Sequence, residues 1–497
     1  MDDMANPVFA SRTTQTERTW RLPSISSATI LSGCLLIVFG AKIWLISQYG
    51  AVTPFLDEWN EALELFKPYL DGTLHFWSLF QLHNEHRIFF SRLLSLGLLR
   101  LERRWDPPLQ MVVAAGLHVT AIGVLLVMVT HKLRMQSAAA VAIFTAAVFA
   151  IPYGWQNALW GFQSAFYFYL LFGFLAVWLH SHSLAWSPVW ISATVLASAS
   201  YFNLSSGALT PLVLCAMSIS QIILGSRKAG YREWAGMAAQ CTLTLVMILF
   251  IPFVPWDASY MAHSIEQFAS AFLIAAAWPL SPAFAIVLHA PMIALGASLI
   301  KERPHLRDSR WILFGLWIWL GMQFVALAYG RASIVIQSRY LDIFLVGLIL
   351  NFTALLRLMP DRPRFTVSFL ASAWLLATSI GAAHEAILEP AVAEWRRADE
   401  VWTENLRGYI KTGDFGFLKG KPIPYPDANY LRRILDAPEI RAILPPILVD
   451  HGVPARKFVV SSRDWFLAHG PFLAVVGIVL FFFGMSCPRR EVTATGK

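Results

Sequence analysis

The chain has 497 residues, of which 57% are hydrophobic and only 14% charged, with a formal net charge of +8. A soluble protein of this length needs far more charge to cover its surface, so the composition points to the membrane. The positive balance does not point to nucleic acid, because the Lys and Arg residues fall in short separate loops with no dense basic block.

Apolar runs recur along the chain, each bounded by charge, Pro or Gly, and a bilayer core takes roughly 20 helical residues to cross. Backbone polar groups in lipid must pair within their own segment, so these runs are predicted to be helices. Residues 1–27 are polar and carry Arg12, Arg18 and Arg21. The run that follows, 28–46, is long and lacks a small-residue cleavage site, so it reads as an uncleaved first span. Further spans are expected at 109–130, 137–152, 164–180, 189–204, 207–225, 235–254, 283–300, 311–329, 340–356, 365–383 and 470–486. The fold class is an all-α polytopic membrane protein with about 12 transmembrane helices. The stretch 266–279 is short for a span and precedes Pro279 and Pro282, so it is expected to be re-entrant or interfacial.

Charge orients these spans. One set of connections carries Lys132 and Arg134; Arg227, Lys228 and Arg232; Lys301, Arg303, Arg307 and Arg310; Arg357, Arg362 and Arg364; Arg489 and Arg490. The positive-inside rule makes that set cytoplasmic, with both termini. The loops at 153–163, 205–206 and 255–265 have no Lys or Arg and fall outside. The organisation expected is a cytoplasmic tail (1–27), a membrane domain (28–383) with a long first external loop (47–108), a small external cap (384–469), a last span (470–486) and a second tail (487–497). No internal repeat is evident, and no inverted symmetry of the transporter kind. Cys34, Cys215 and Cys241 lie in apolar runs and Cys487 ends the last one, so no exported disulfide framework is implied.

Four external constellations carry chemistry. Asp57-Glu58 follows Pro54 and opens a helical pattern; a carboxylate there is either a cap favoured by the helix dipole or a general base at the membrane surface. Gln81-Leu82-His83-Asn84-Glu85-His86-Arg87 is too rich in functional groups for a merely solvated loop. His83 and His86, three apart, would share a helix face, and with Asp57 could hold a divalent ion, or form a metal-free polar site, or only bond the loop together. Trp155-Gln156-Asn157-Ala158-Leu159-Trp160-Gly161-Phe162-Gln163 sets flat rings beside amides. That suits a sugar, with Trp155, Asn157, Trp160 and Gln163 as contacts, or else an interfacial aromatic belt. Arg331, and Arg339 beside Tyr340, are the only basic residues in the short external loops, where a guanidinium fork suits a phosphate or snorkels to ordinary headgroups. Lys42, near the outer end of the first span, either snorkels outward or adds a third positive charge there.

Together these features resemble the GT-C superfamily of membrane glycosyltransferases. The resemblance rests on Asp57-Glu58 after the first span, juxtamembrane helices at 57–70 and 85–101, and the external arginines. It implies a sugar on a polyprenyl phosphate as donor and a hydroxyl of a glycan, lipid or protein as acceptor, in a bacterial inner membrane with a periplasmic active site. Asp57 would be the base, and Glu58 its support or a metal ligand. Arg331 and Arg339 would neutralise the departing phosphate, with inversion at the anomeric carbon. A divalent metal is the one cofactor the resemblance leaves open. The Trp-Trp-Asp-Tyr-Gly motif of oligosaccharyltransferases is absent, which argues against protein N-glycosylation. A polysaccharide polymerase-like transferase is the enzymatic alternative. A lipid or solute transporter would need charge along a transbilayer path, and the span centres are nearly free of it.

Overall fold

In the computed structural model, described for residues 25–359, 365–387 and 389–486, all twelve apolar runs are helical. Residues 1–24 and 487–497, with Cys487, Arg489 and Arg490, lie outside the described residues, as do Arg362 and Arg364. Among the described residues the only pairing of extended chain is an isolated bridge between His83 and His86. Nine of the described helices are long and apolar enough to cross a membrane, while Met135–Ala150 and Ile265–Ala277 are shorter apolar helices. Starts follow local chemistry: the Asp106 carboxylate accepts from the Leu109 N–H at 3.0 Å ahead of Pro107–Thr130, and Ser264 caps Ile265–Ala277 through Gln267. The last helix is longer than its apolar run, starting at Lys457 and continuing to Ser486 through an internal Pro471.

That last helix lies antiparallel against the first, Ile25–Tyr49, along a seam of glycines. A Cβ on Gly33 would stand 2.6 Å from the Gly477 carbonyl, and one on Gly40 would stand 2.6 Å from the Gly470 carbonyl. Gly484 continues the seam against Ile30. Lipid tails are as apolar as leucine, so helices here associate through close backbone packing rather than through burial, and only small residues permit it. The spacing of seven between Gly33 and Gly40, and again between Gly470, Gly477 and Gly484, keeps the glycines on one face.

The two long segments between apolar runs, 47–108 and 384–469, form one unit. Trp59, Leu65, Phe66 and Trp105 of the first loop share a core with Leu406, Tyr409, Leu431, Ile434 and Leu444 of the C-terminal segment. Neither segment has enough apolar surface for a core of its own, and together they do. The unit stands on the membrane helices through Asp106, whose carboxylate is paired with Arg463 of the last helix.

Candidate functional site

The Asp57 motif is held in place from the C-terminal segment. The backbone N–H groups of Val52 and Thr53 both donate to Asp399 at 3.2 Å, and the Leu56 N–H donates to the Pro424 carbonyl at 2.8 Å. Phe55 stacks on Trp402 with centroids 4.9 Å apart and meets Trp160 edge-on. These contacts force Leu56 to φ 44°, a left-handed conformation that a leucine rarely adopts, and the helix Asp57–Glu61 starts directly after it.

This start corrects the expectation that Asp57 is a helix cap. Leu56 occupies the cap position and no side chain caps the helix there. Instead Glu58 turns back and accepts from the Phe55 N–H at 2.7 Å. Glu58 is buried, and burial lifts its pKa to about 8 against the lowering effect of the Phe55 and Phe162 N–H groups. Glu61, one turn on and also buried, is lifted to about 7 by burial, while Arg92 and His83 pull it back. The Asp57 side chain stays 30% exposed; its Oδ2 lies 3.5 Å from His83 Nε2, and it makes no hydrogen bond among the described residues. The adjacent carboxyls are thus divided: Glu58 is an inward, largely neutral support, and Asp57 is the outward, uncommitted one.

His83 and His86 do not share a helix face. Residues 83–86 form a tight turn in which each histidine N–H donates to the other's carbonyl, at 2.8 and 2.9 Å, around Asn84 at φ 52°. The juxtamembrane helix begins only at Phe89. The turn sends the rings apart: buried His83 faces Asp57, whereas His86 Nδ1 accepts from the Ser205 N–H at 3.1 Å and its Nε2 faces Glu85 at 3.4 Å. Burial first, and then Arg331, hold the His86 imidazole well below its ordinary pKa. Arg87 is spent on the Phe80 carbonyl at 2.8 Å. Among the described residues no three His, Cys, Asp or Glu side chains gather as a metal site would require, and Asp57, His83 and His86 do not converge on one point. The set does not fit a divalent ion.

The chain of contacts continues from the turn to the arginines. Arg331, at the end of Arg310–Gly330, is paired with Glu85 and lies 3.5 Å from Asp257, a residue that belongs to no sequence motif. Burial, and then Glu85, lift Asp257 to about 6. Tyr340 joins the two arginines: its hydroxyl faces Arg331, and its ring lies 5.3 Å below the Arg339 guanidinium. Arg339 itself is in no ion pair among the described residues, and its Nε is buried without a partner. A chain of contacts thus runs from Asp57 through His83, the 83–86 turn, Glu85, Arg331 and Tyr340 to Arg339.

The aromatic loop is packed inward rather than forming an open stacking face. Trp155, Asn157, Trp160 and Gln163 are all buried. Asn157 Nδ2 donates to the Arg339 carbonyl at 2.8 Å and to Asp342 at 2.9 Å, and Gly161 is needed because a Cβ would strike Gln110 at 2.5 Å. Lys42 does not snorkel: it is only 6% exposed. Asp342 is a second charge inside a span that pattern reading passed over, because its neighbours are uniformly apolar.

No family model matches the chain, and no curated protein matches it. Three solved structures are similar in layout. One is the archaeal oligosaccharyltransferase AglB from Archaeoglobus fulgidus in complex with an inhibitory peptide and a dolichol-phosphate, at 10% identity, covering 81% of this chain and 60% of that one, with a TM-score of 0.46. The others are the Archaeoglobus fulgidus oligosaccharyltransferase in the apo form (12% identity, 82% and 60% covered, TM-score 0.45) and with Zn and sulfate (11%, 80% and 57%, 0.42). The chain spans about 60% of the length of the first of these.

Proposed function

We propose that the chain is a membrane glycosyltransferase that moves a sugar from a polyprenyl-phosphate donor to a hydroxyl of a glycan, lipid or other acceptor on the non-cytoplasmic face. The observation that carries this reading is the freed carboxylate of Asp57, backed by His83 and joined through the 83–86 turn to two arginines. Asp57 takes the proton of the acceptor hydroxyl as its oxygen attacks the anomeric carbon. The bond from that carbon to the carrier phosphate breaks with its electron pair on the phosphate oxygen. Arg339 and Arg331 meet the charge that grows there, where preorganised donors lower the barrier most. A single displacement of this kind inverts the anomeric centre. Glu58 positions Asp57 by fixing the start of the helix and touches no reacting atom.

The test is on the donor. Polyprenyl-phosphate lipids are extracted from cells expressing wild type or Asp57→Asn at matched levels and compared by mass spectrometry. One glycosylated carrier accumulating in the variant supports the proposal. Identical carrier pools speak against a transferase that consumes such a donor.

A further inference from the structure

Beneath the arginines lies a set of buried polar groups that the transfer reaction does not use. Asp342, 2% exposed, sits one turn into Ser338–Leu358, and Lys42 of the first helix is the buried cation nearby, in no direct ion pair with it among the described residues. Gly154 is shaped around that carboxylate: a Cβ there would come within 2.4–2.5 Å of both oxygens and the carboxyl carbon. Lys42 and Gly154 also line a cavity of about 20 Å³, enough for roughly one water. Burying ionisable groups in a span is costly, and apolar residues of similar size would be at least as stable. Stability does not explain it.

Its connections do. Asn157 donates to Asp342 and, with the same amide nitrogen, to the carbonyl of Arg339. The Arg339 N–H in turn donates to Gln156 Oε1 at 3.3 Å, and Ser338 Oγ donates to the Tyr153 carbonyl at 2.6 Å. The backbone of Arg339 is thereby fixed on both sides, while its guanidinium is in no ion pair. Arg331 differs, since Glu85 and Asp257 already occupy it.

We propose that Asp342, with Lys42 as its buried counter-charge, is a positioning residue for the donor phosphate, acting through Asn157 to set the direction in which Arg339 presents its free guanidinium. The proposal rests on the reading of Arg339 as a phosphate ligand. Arg339 is then the arm that meets the phosphate first, and Arg331 joins once its carboxylates yield.

The experiment measures binding of farnesyl phosphate, with farnesol as the uncharged control, to the full chain in lipid nanodiscs. Lys42→Met with Asp342→Leu removes both charges and the acceptor of Asn157 without leaving a lone buried charge. It is expected to weaken farnesyl phosphate about tenfold, the scale of one charge-assisted contact set out of line, and to leave farnesol unchanged. Lys42→Met with Asp342→Asn keeps the acceptor and is expected to stay within about twofold of wild type. Gly154→Ala, in a chain with every polar group present, is expected to mimic the leucine variant by pushing the carboxylate off Asn157. Arg339→Gln separates the two readings. If it leaves farnesyl phosphate binding intact, the phosphate role of Arg339 fails and takes the positioning role with it. If it abolishes binding while the leucine variant and Gly154→Ala bind normally, the positioning role alone is overturned. Equal losses in the leucine and asparagine variants overturn the hydrogen-bonded route through Asn157.

Discussion

Glu58→Gln gives a stability effect whose size depends on pH. The wild-type carboxyl is buried with a pKa near 8 against an ordinary value of 4.5, so the native state holds its proton over a range where the unfolded chain has released it. Stability from this group is complete below about pH 4.5 and is lost as pH rises towards 8. At about 1.4 kcal/mol per pH unit, the shift from 4.5 to about 8 corresponds to roughly 5 kcal/mol, an upper value because the loop can relax to admit water. Glutamine keeps an oxygen for the Phe55 N–H, which donates to Glu58 at 2.7 Å, and carries no ionisable proton. The assay is the thermal unfolding midpoint of the full chain in detergent at pH 5 and pH 9. Glu58→Gln should match wild type near pH 5 and exceed it clearly at pH 9. Glu61 continues to titrate in both chains, so the variant still loses some stability with pH. Parallel pH curves for the two proteins would refute the buried, protonated Glu58 and with it the division of roles between the two carboxyls.

Three further outcomes follow from the geometry. Asp57→Asn should leave the melting midpoint in place and lower transfer by about 10²–10⁴, the usual worth of a general base, as read by turnover of the donor lipid. Asp257→Asn should tighten farnesyl phosphate binding severalfold at pH 8 by taking a carboxylate off Arg331. The gain should vanish at pH 5, where wild-type Asp257, with its pKa raised to about 6, is already neutral. Gly40→Leu drives a side chain into a site 2.5 Å from the Ala474 backbone nitrogen and should destabilise the chain by about 1–3 kcal/mol, whereas Gly116→Ala, with open space around it, should be neutral or slightly stabilising in the same melting assay.

The helices were legible because their signal is long and local: each apolar run carries its own hydrogen bonds, so composition alone marks it. Candidate residues could be named from the sequence, but the direction of their side chains could not. Asp57 has the sequence position of a cap, yet contacts from Asp399 and Pro424, more than three hundred residues away, hold the segment so that Leu56 takes the cap position and Glu58 turns back to the Phe55 N–H. His83 and His86 have helical spacing, but a left-handed Asn84 reverses the chain between them. Asp257 carries no motif and matters only because Pro255–Tyr260 lies beside Arg331. The glycine seam did carry a signal, a spacing of seven repeated at both ends of the chain, and it is read only when the first and last spans are compared with each other.

The central claim is tested most directly on the product. Envelope glycans and lipids are compared by mass spectrometry in source cells carrying wild type, Asp57→Asn or Arg331→Ala at matched expression. The account expects one and the same sugar to be missing from one and the same acceptor in both variants, which would identify donor sugar and acceptor together. Unchanged profiles in both would contradict it, and would remove Asp57 and Arg331 from any transfer chemistry.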